Sequence, residues 1–130
     1  MSKEKLELIK YRLQEAEESI REAEVLLKEG MSMRAVINRL YYAMFYAVLA
    51  LLQEKEMGTS KHAGAISLFD REFVKNKIFD DDLSKTLHRA FELRQKGDYM
   101  EQVEVSKSDV DEILPEAKKF VKKVKTYLLA

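Results

Sequence analysis

Leu40-Tyr41-Tyr42-Ala43-Met44-Phe45-Tyr46-Ala47-Val48-Leu49-Ala50-Leu51-Leu52 is the longest nearly uninterrupted apolar run in the chain, and its reading decides the fold. A membrane-spanning helix needs roughly twenty such residues, and the run has about thirteen. Its pattern extends upstream to Ser32, a residue suited to capping a helix N-terminus, and downstream to about Lys55. Val36, Leu40, Ala43, Ala47 and Leu51 mark one face; Ile37, Tyr41, Met44, Val48 and Leu52 mark another. A helix apolar nearly all round must be covered on all sides. The run therefore predicts a buried central helix, with part of its cover expected from a second subunit.

The flanking sequence predicts helices of the ordinary half-buried kind. Leu6, Ile9, Leu13, Ala16, Ile20, Ala23 and Leu27 recur at three- and four-residue spacing, giving a first helix from about Lys3 to Lys28 that Gly30 ends. Thr59 or Ser60 can cap a third helix from Lys61 to Val74, with Ala65, Ile66, Phe69 and Phe73 inward. Asp81 or Asp82 can cap a fourth that Gly97 stops after Lys96, leaving residues 98–105 as a loop. Ser106 or Ser108 opens the last, which reaches Leu129 and should kink or start late at Pro115. No alternating strand pattern, linker or internal repeat interrupts this. The expectation is an all-α, up-and-down helical bundle of about five helices, one domain over residues 1–130.

Composition narrows the function classes. Lysine plus arginine and aspartate plus glutamate number 23 each, so no global field draws the chain to nucleic acid or to an anionic membrane. Any such contact must use a local patch. There is no cysteine, which excludes disulfides, thiolate metal sites and cysteine nucleophiles and fits a reducing compartment. The N-terminus runs directly into a charged helical pattern without a signal-peptide core. A soluble, cytoplasmic protein with no membrane contact is expected.

The residues that can carry chemistry centre on Glu92-Leu93-Arg94-Gln95-Lys96-Gly97-Asp98-Tyr99. Arg94 can form an i,i+4 pair with Asp98, worth a few tenths of a kcal/mol. Alternatively, Gly97 frees Asp98 and Tyr99 to fold over the helix end, and the guanidinium grips a phosphate with its planar fork of donors. Asn38, Arg39 and Tyr42 interrupt the apolar helix and need partners, since a buried unpaired polar group costs about 1–3 kcal/mol. They either tie that helix to the fourth or, with Tyr46, line a cleft opposite Arg94. Lys61 and His62 open the third helix, and His88 is placed to meet Glu92 one turn on. The two histidines lack ligand spacing, so neither a metal nor another cofactor is expected. Lys118, Lys119, Lys122, Lys123 and Lys125 read as a solvated face that complements the helix dipole, with an RNA-backbone patch as the lesser alternative.

Three segments in this order carry a family resemblance: Asn38 to Ala47, Lys61 to Phe69, and Phe91 to Tyr99. Together they resemble the HEPN domain, in particular its small stand-alone prokaryotic branch, over roughly residues 5 to 128. The resemblance implies a helical bundle that usually forms a homodimer. It also implies a minimal nucleotidyltransferase as partner in a toxin–antitoxin module. Active relatives are metal-independent ribonucleases in which an arginine and a polar residue are followed, four to six residues after the arginine, by a histidine. Here the arginine is Arg94 and the polar residue Gln95, but Asp98 and Tyr99 stand where the histidine would begin to be sought. A tyrosine, with a pKa near 10, is a poor proton carrier at neutral pH.

Three readings follow. The first is a non-catalytic or weakly catalytic protein binding a nucleotide or RNA at Arg39, Tyr42, Arg94, Gln95, Asp98 and Tyr99, with Lys61, His62 and His88 as secondary candidates. The second is a ribonuclease toxin using Arg94 with Tyr99 or a histidine from another helix. The third is a structural interaction module without a ligand. The missing histidine favours the first over the second, and the polar cluster favours it over the third.

Overall fold

The computed structural model describes residues 1–59, 61–99 and 104–130, giving only the helical backbone at 97–99. Among the described residues there are five α-helices: α1 Lys3–Lys28, α2 Met33–Glu54, α3 His62–Phe69, α4 Asp81–Tyr99 and α5 Lys107–Leu129. No strand occurs among the described residues. The fold is an all-α helical bundle.

α2 is its axis and packs against all four other helices. Both of its apolar faces are buried, with Val36, Leu40, Ala43, Ala47 and Leu51 on one side and Ile37, Tyr41, Met44, Val48 and Leu52 on the other. Its length and mean hydropathy of 1.6 would suffice to cross a bilayer, but 67% of that apolar window is buried inside the bundle. The cover expected from a second subunit is thus supplied for these two faces by the chain's own helices.

α1 leads into α2 through a tight reversal. Gly30 adopts φ +72°, and Met31 and Gly30 donate their N–H groups back to the carbonyls of Leu26 and Leu27. This arrangement satisfies carbonyls that a helix end would otherwise leave open. The end of α2 repeats it with a non-glycine residue, Glu56 at φ +56°, as Met57 and Glu56 donate to Leu52 and Gln53.

Three elements depart from the sequence expectation. The third helix is not α-helical to Val74: after Phe69 it widens into a π-helical turn, Asp70–Val74, closed by Lys75 N–H donating to the Asp70 carbonyl at 2.8 Å. Phe69 and Phe73 both stay in the core, in a ring cluster with Phe79 and Phe120, while Asp70 meets Ser84 and His88 of α4. Gly97 does not stop α4, which continues to Tyr99. A glycine in helical conformation costs only about 1 kcal/mol relative to alanine, and the buried Leu87, Ala90 and Leu93 anchor the preceding turns. α5 has neither a late start nor a break. Ser106 and Asp109 form a reciprocal capping box at its N-terminus, and the helix runs through the exposed Pro115.

Candidate functional site

The site is built where α2, α3 and α4 meet. Successive residues on α2 place Tyr41 toward the core and Tyr42 at its edge; Tyr41 is fully buried and Tyr42 partly exposed. Phe45 and Tyr46 follow one turn later. Arg94 reaches in from α4, with its Cζ 5.2 Å from the centres of both the Tyr41 and Tyr42 rings. Its Nη2 donates to the Tyr42 hydroxyl at 3.2 Å. This bond ties α2 to α4, the link that Tyr42 was expected to need.

Arg39 approaches the same Tyr42 ring, with Cζ 5.1 Å from its centre. Two of its nitrogens donate to Asn38 Oδ1, at 3.2 and 2.8 Å, and Glu22 of α1 lies 3.9 Å away. One phenol ring is therefore flanked by two guanidinium groups. Each guanidinium is attracted by the ring's electron-rich face, and together they concentrate positive charge at one point of a chain with no net charge.

His62, the first residue of α3, joins this cluster. Its imidazole lies parallel to the Phe45 ring, with centres 4.1 Å apart and planes 5° apart. It lies 5.7 Å from the centres of Tyr41 and Tyr42, and its Nδ1 is 2.8 Å from the Tyr41 hydroxyl. Burial first, and the Arg94 charge second, hold its pKa below the ordinary 6.5. Burial likewise pushes the Tyr41 phenol up, so that it keeps its proton throughout the neutral range. The Tyr46 phenol is raised as well, first by burial and then by Glu15.

Local backbone sets His62 in place. Lys61, the N-terminal flanking residue of α3, donates its N–H to Thr59 Oγ1 at 3.2 Å. Thr59 in turn lies against Gly64, where a Cβ would come within 2.7 Å of that same oxygen. Gly64 is the residue that lets the preceding loop close onto the first turn of α3.

Of the residues singled out from the sequence, the structure brings together Arg39, Tyr42, Arg94 and His62. Gln95 is exposed, and the exposed Lys61, not Thr59, stands at the N-cap position of α3, which has no side-chain cap hydrogen bond. The side chains of Asp98 and Tyr99 lie outside the described residues, as do Met100 and Ser60. His88 corrects the expectation: its Nε2 meets Asp70 Oδ2 at 2.6 Å, whereas Glu92 takes Lys96 at 2.8 Å. The π-helical turn turns Asp70 toward α4, and a nearby carboxylate there outcompetes the one on His88's own helix. The basic stretch of α5 lines a groove of about 680 Å³ against α1, floored by Ile20 and Val121. Within it Lys118 pairs with Glu24 and Lys125 with Glu17, both at 3.1 Å, as a solvated face would. The lining of this groove includes neither Arg39 nor Arg94.

Sequence comparison supplies the family. The HEPN domain model matches residues 9–127. A UPF0332 protein of Thermotoga maritima is 40% identical over 118 residues, 91% of this chain and 89% of its own length. MJ0142 and MJ0605 of Methanocaldococcus jannaschii, both named as proposed toxins, are 36% and 30% identical. These matches cover 91% and 98% of this chain and 80% and 94% of the relatives. With a helical bundle whose arginine, tyrosine and histidine converge as described, the chain belongs to the HEPN domain family.

Proposed function

We propose that this is a toxin-like HEPN protein that binds single-stranded RNA or a nucleotide at the Arg39–Tyr42–Arg94 cluster. The observation that carries this reading is the pair of guanidinium groups on one partly exposed tyrosine ring. Guanidinium groups supply planar donors for a phosphate, and the adjoining, partly exposed Tyr46 ring offers a face on which a base can stack. The names of the Methanocaldococcus relatives support a toxin-like role for this chain too. The protein acts in the cytoplasm with a minimal nucleotidyltransferase as its partner, within a toxin–antitoxin-like module.

It works as a homodimer. Leu8, Tyr11 and Val25, on the outward side of α1, are each about half exposed, at 49, 55 and 57%, and leave apolar surface for a second copy. Light scattering at micromolar concentration should give a two-subunit mass; a clean monomer would remove the dimer. Binding is tested by fluorescence anisotropy of a labelled oligoribonucleotide against increasing salt. Affinity should fall with salt for the wild type, and an affinity indifferent to salt would exclude a phosphate-gripping site.

A second reading, ribonuclease activity, is favoured by one specific observation: an imidazole stands in the same cluster as Arg94, although none follows the arginine in sequence.

A further inference from the structure

We infer that the groove between α1 and α5 is a docking site for an amphipathic helix of a protein partner, one whose aliphatic stripe is flanked by glutamate or aspartate. This surface is separate from the proposed RNA site, whose Arg39 and Arg94 are absent from its lining.

α1 and α5 both pack on α2, and the hollow left between them has a volume of about 680 Å³. Ile20 and Val121, both buried, form its floor, and the exposed Leu129 adds apolar surface at the end of α5. Lys118, Lys122, Lys125 and Leu129 recur at four- and three-residue spacing, so they form one row on α5, roughly three turns long. Glu17, Ile20 and Arg21 form the facing row on α1. A hollow of that length, walled by two helices, suits a third. Such a helix lays apolar residues spaced three and four apart onto the floor and turns its flanks toward the two rims.

The rims decide the chemistry of the occupant. Arg21, Lys118, Lys122 and Lys125 stand in the lining against a single acidic side chain, Glu17. The excess is local, because the chain carries 23 residues of each sign. Arg21 and Lys122 are exposed and form no ion pair among the described residues. Lys118 and Lys125 pair with Glu24 and Glu17, but all four side chains are between 41 and 51% exposed. Ion pairs so open to water contribute about 0–1 kcal/mol, so the carboxylates of a partner can take the place of Glu17 and Glu24. Four cations are then available to acidic flanks, while the floor takes the aliphatic stripe. A nucleic-acid backbone fits less well. Among the described residues the lining carries no aromatic ring on which a base could stack, and Tyr127 of α5 lines a second hollow with Phe79. Glu17 and Glu24 would also stand against the phosphates.

The probe is a fluorescein-labelled synthetic peptide of about fourteen residues, or four helical turns, with leucines spaced three and four apart and glutamates on both flanks. The full chain is titrated against it by fluorescence anisotropy. Two further peptides serve for comparison, one of the same composition scrambled to destroy the stripe, the other with lysine for every glutamate. The wild type should prefer the acidic amphipathic peptide to both by at least about tenfold. The double variant Arg21→Glu, Lys122→Glu, checked for helicity, should lose at least about tenfold for that peptide and gain affinity for the lysine one. Loss of fold cannot produce such a reversal. Affinity for a labelled oligoribonucleotide should stay within about twofold in the double variant, as expected of separate sites. A wild type that binds the acidic and scrambled peptides equally, or a double variant with an unchanged preference, overturns the inference. Peptide indifference with oligoribonucleotide affinity lost in the double variant makes the groove a phosphate track instead. A light-scattering mass that falls in the double variant gives it to a second copy of this chain. Either result also overturns the inference. Should the double variant fail to fold, Lys122→Gln and the wild-type preference among the three peptides decide the matter.

Discussion

Replacing Tyr41 with phenylalanine removes one oxygen from a fully buried ring and leaves the ring in place. Its stack on Phe45, with centres 5.8 Å apart, and its contact with Arg94 survive the change. What is lost is the bond to His62 Nδ1 at 2.8 Å. A neutral bond of this kind contributes about 1 kcal/mol net. Water can replace the lost partner at the partly exposed imidazole, so the cost should not exceed that figure by much. In a domain of this size the change corresponds to a fall in Tm of about 3–6 °C. His62→Ala removes the same bond together with the Phe45 stack, itself worth about 0.5–1.5 kcal/mol. The two substitutions share one interaction, so the double variant should be less destabilised than the sum of the singles by about 0.5–1.5 kcal/mol. Urea unfolding followed by circular dichroism at pH 7.5, where His62 is neutral, measures all four corners of the cycle. Additive singles would mean that the pair is not coupled, and the anchoring of the imidazole by Tyr41 would fall.

Other consequences are equally direct. Gly64→Ala gains about 1 kcal/mol of helix propensity but drives its Cβ to 2.7 Å from Thr59 Oγ1. The overpacking costs about 1–3 kcal/mol, so the variant should be less stable by thermal melting and Thr59→Ala should rescue it; a Gly64→Ala protein that melts above wild type would refute the contact. Phe69→Ala empties a fully buried site among Phe73, Phe79 and Phe120 and should cost about 3–5 kcal/mol in urea unfolding. His62 also makes stability depend on pH. Its folded pKa lies below the ordinary 6.5, so the unfolded chain takes up a proton first as the solution is acidified. Its contribution is fully present above 6.5 and is lost as pH falls through the window down to the folded value. His62→Gln should flatten that segment of the stability–pH curve, and a curve of unchanged slope would contradict the shift.

The helices were legible because their signals are local. The bounds of α1, the cap at Ser32 and both buried faces of α2 follow from three- and four-residue spacing and from Gly30. The cap at Ser106 is likewise written in the chain, with Asp109 three residues on. What escaped the sequence is non-local. Nothing in the spacing of His-Arg-Ala-Phe-Glu shows that His88 will meet Asp70 rather than Glu92, because that depends on a π-helical turn widening after Phe69. A glycine reads alike whether it ends a helix, as Gly30 does at positive φ, or is carried within one, as Gly97 is. The arginine–tyrosine half of the site was readable, since polar groups on an all-apolar helix demand partners, and Arg94 answers for Tyr42. Tyr41 was read as part of an apolar face, and only the structure shows that its hydroxyl is partnered by His62. The sequence separation of the two residues hid that pairing from periodicity alone.

The central claim is that Arg94 is the phosphate-gripping residue of this HEPN protein. The most direct test is the affinity of the wild type and of Arg94→Ala for the same labelled single-stranded oligoribonucleotide, at one fixed salt concentration and without metal. A loss of at least about tenfold, or roughly 1.4 kcal/mol, with helicity unchanged is the predicted result. Equal affinity in the two proteins would contradict it.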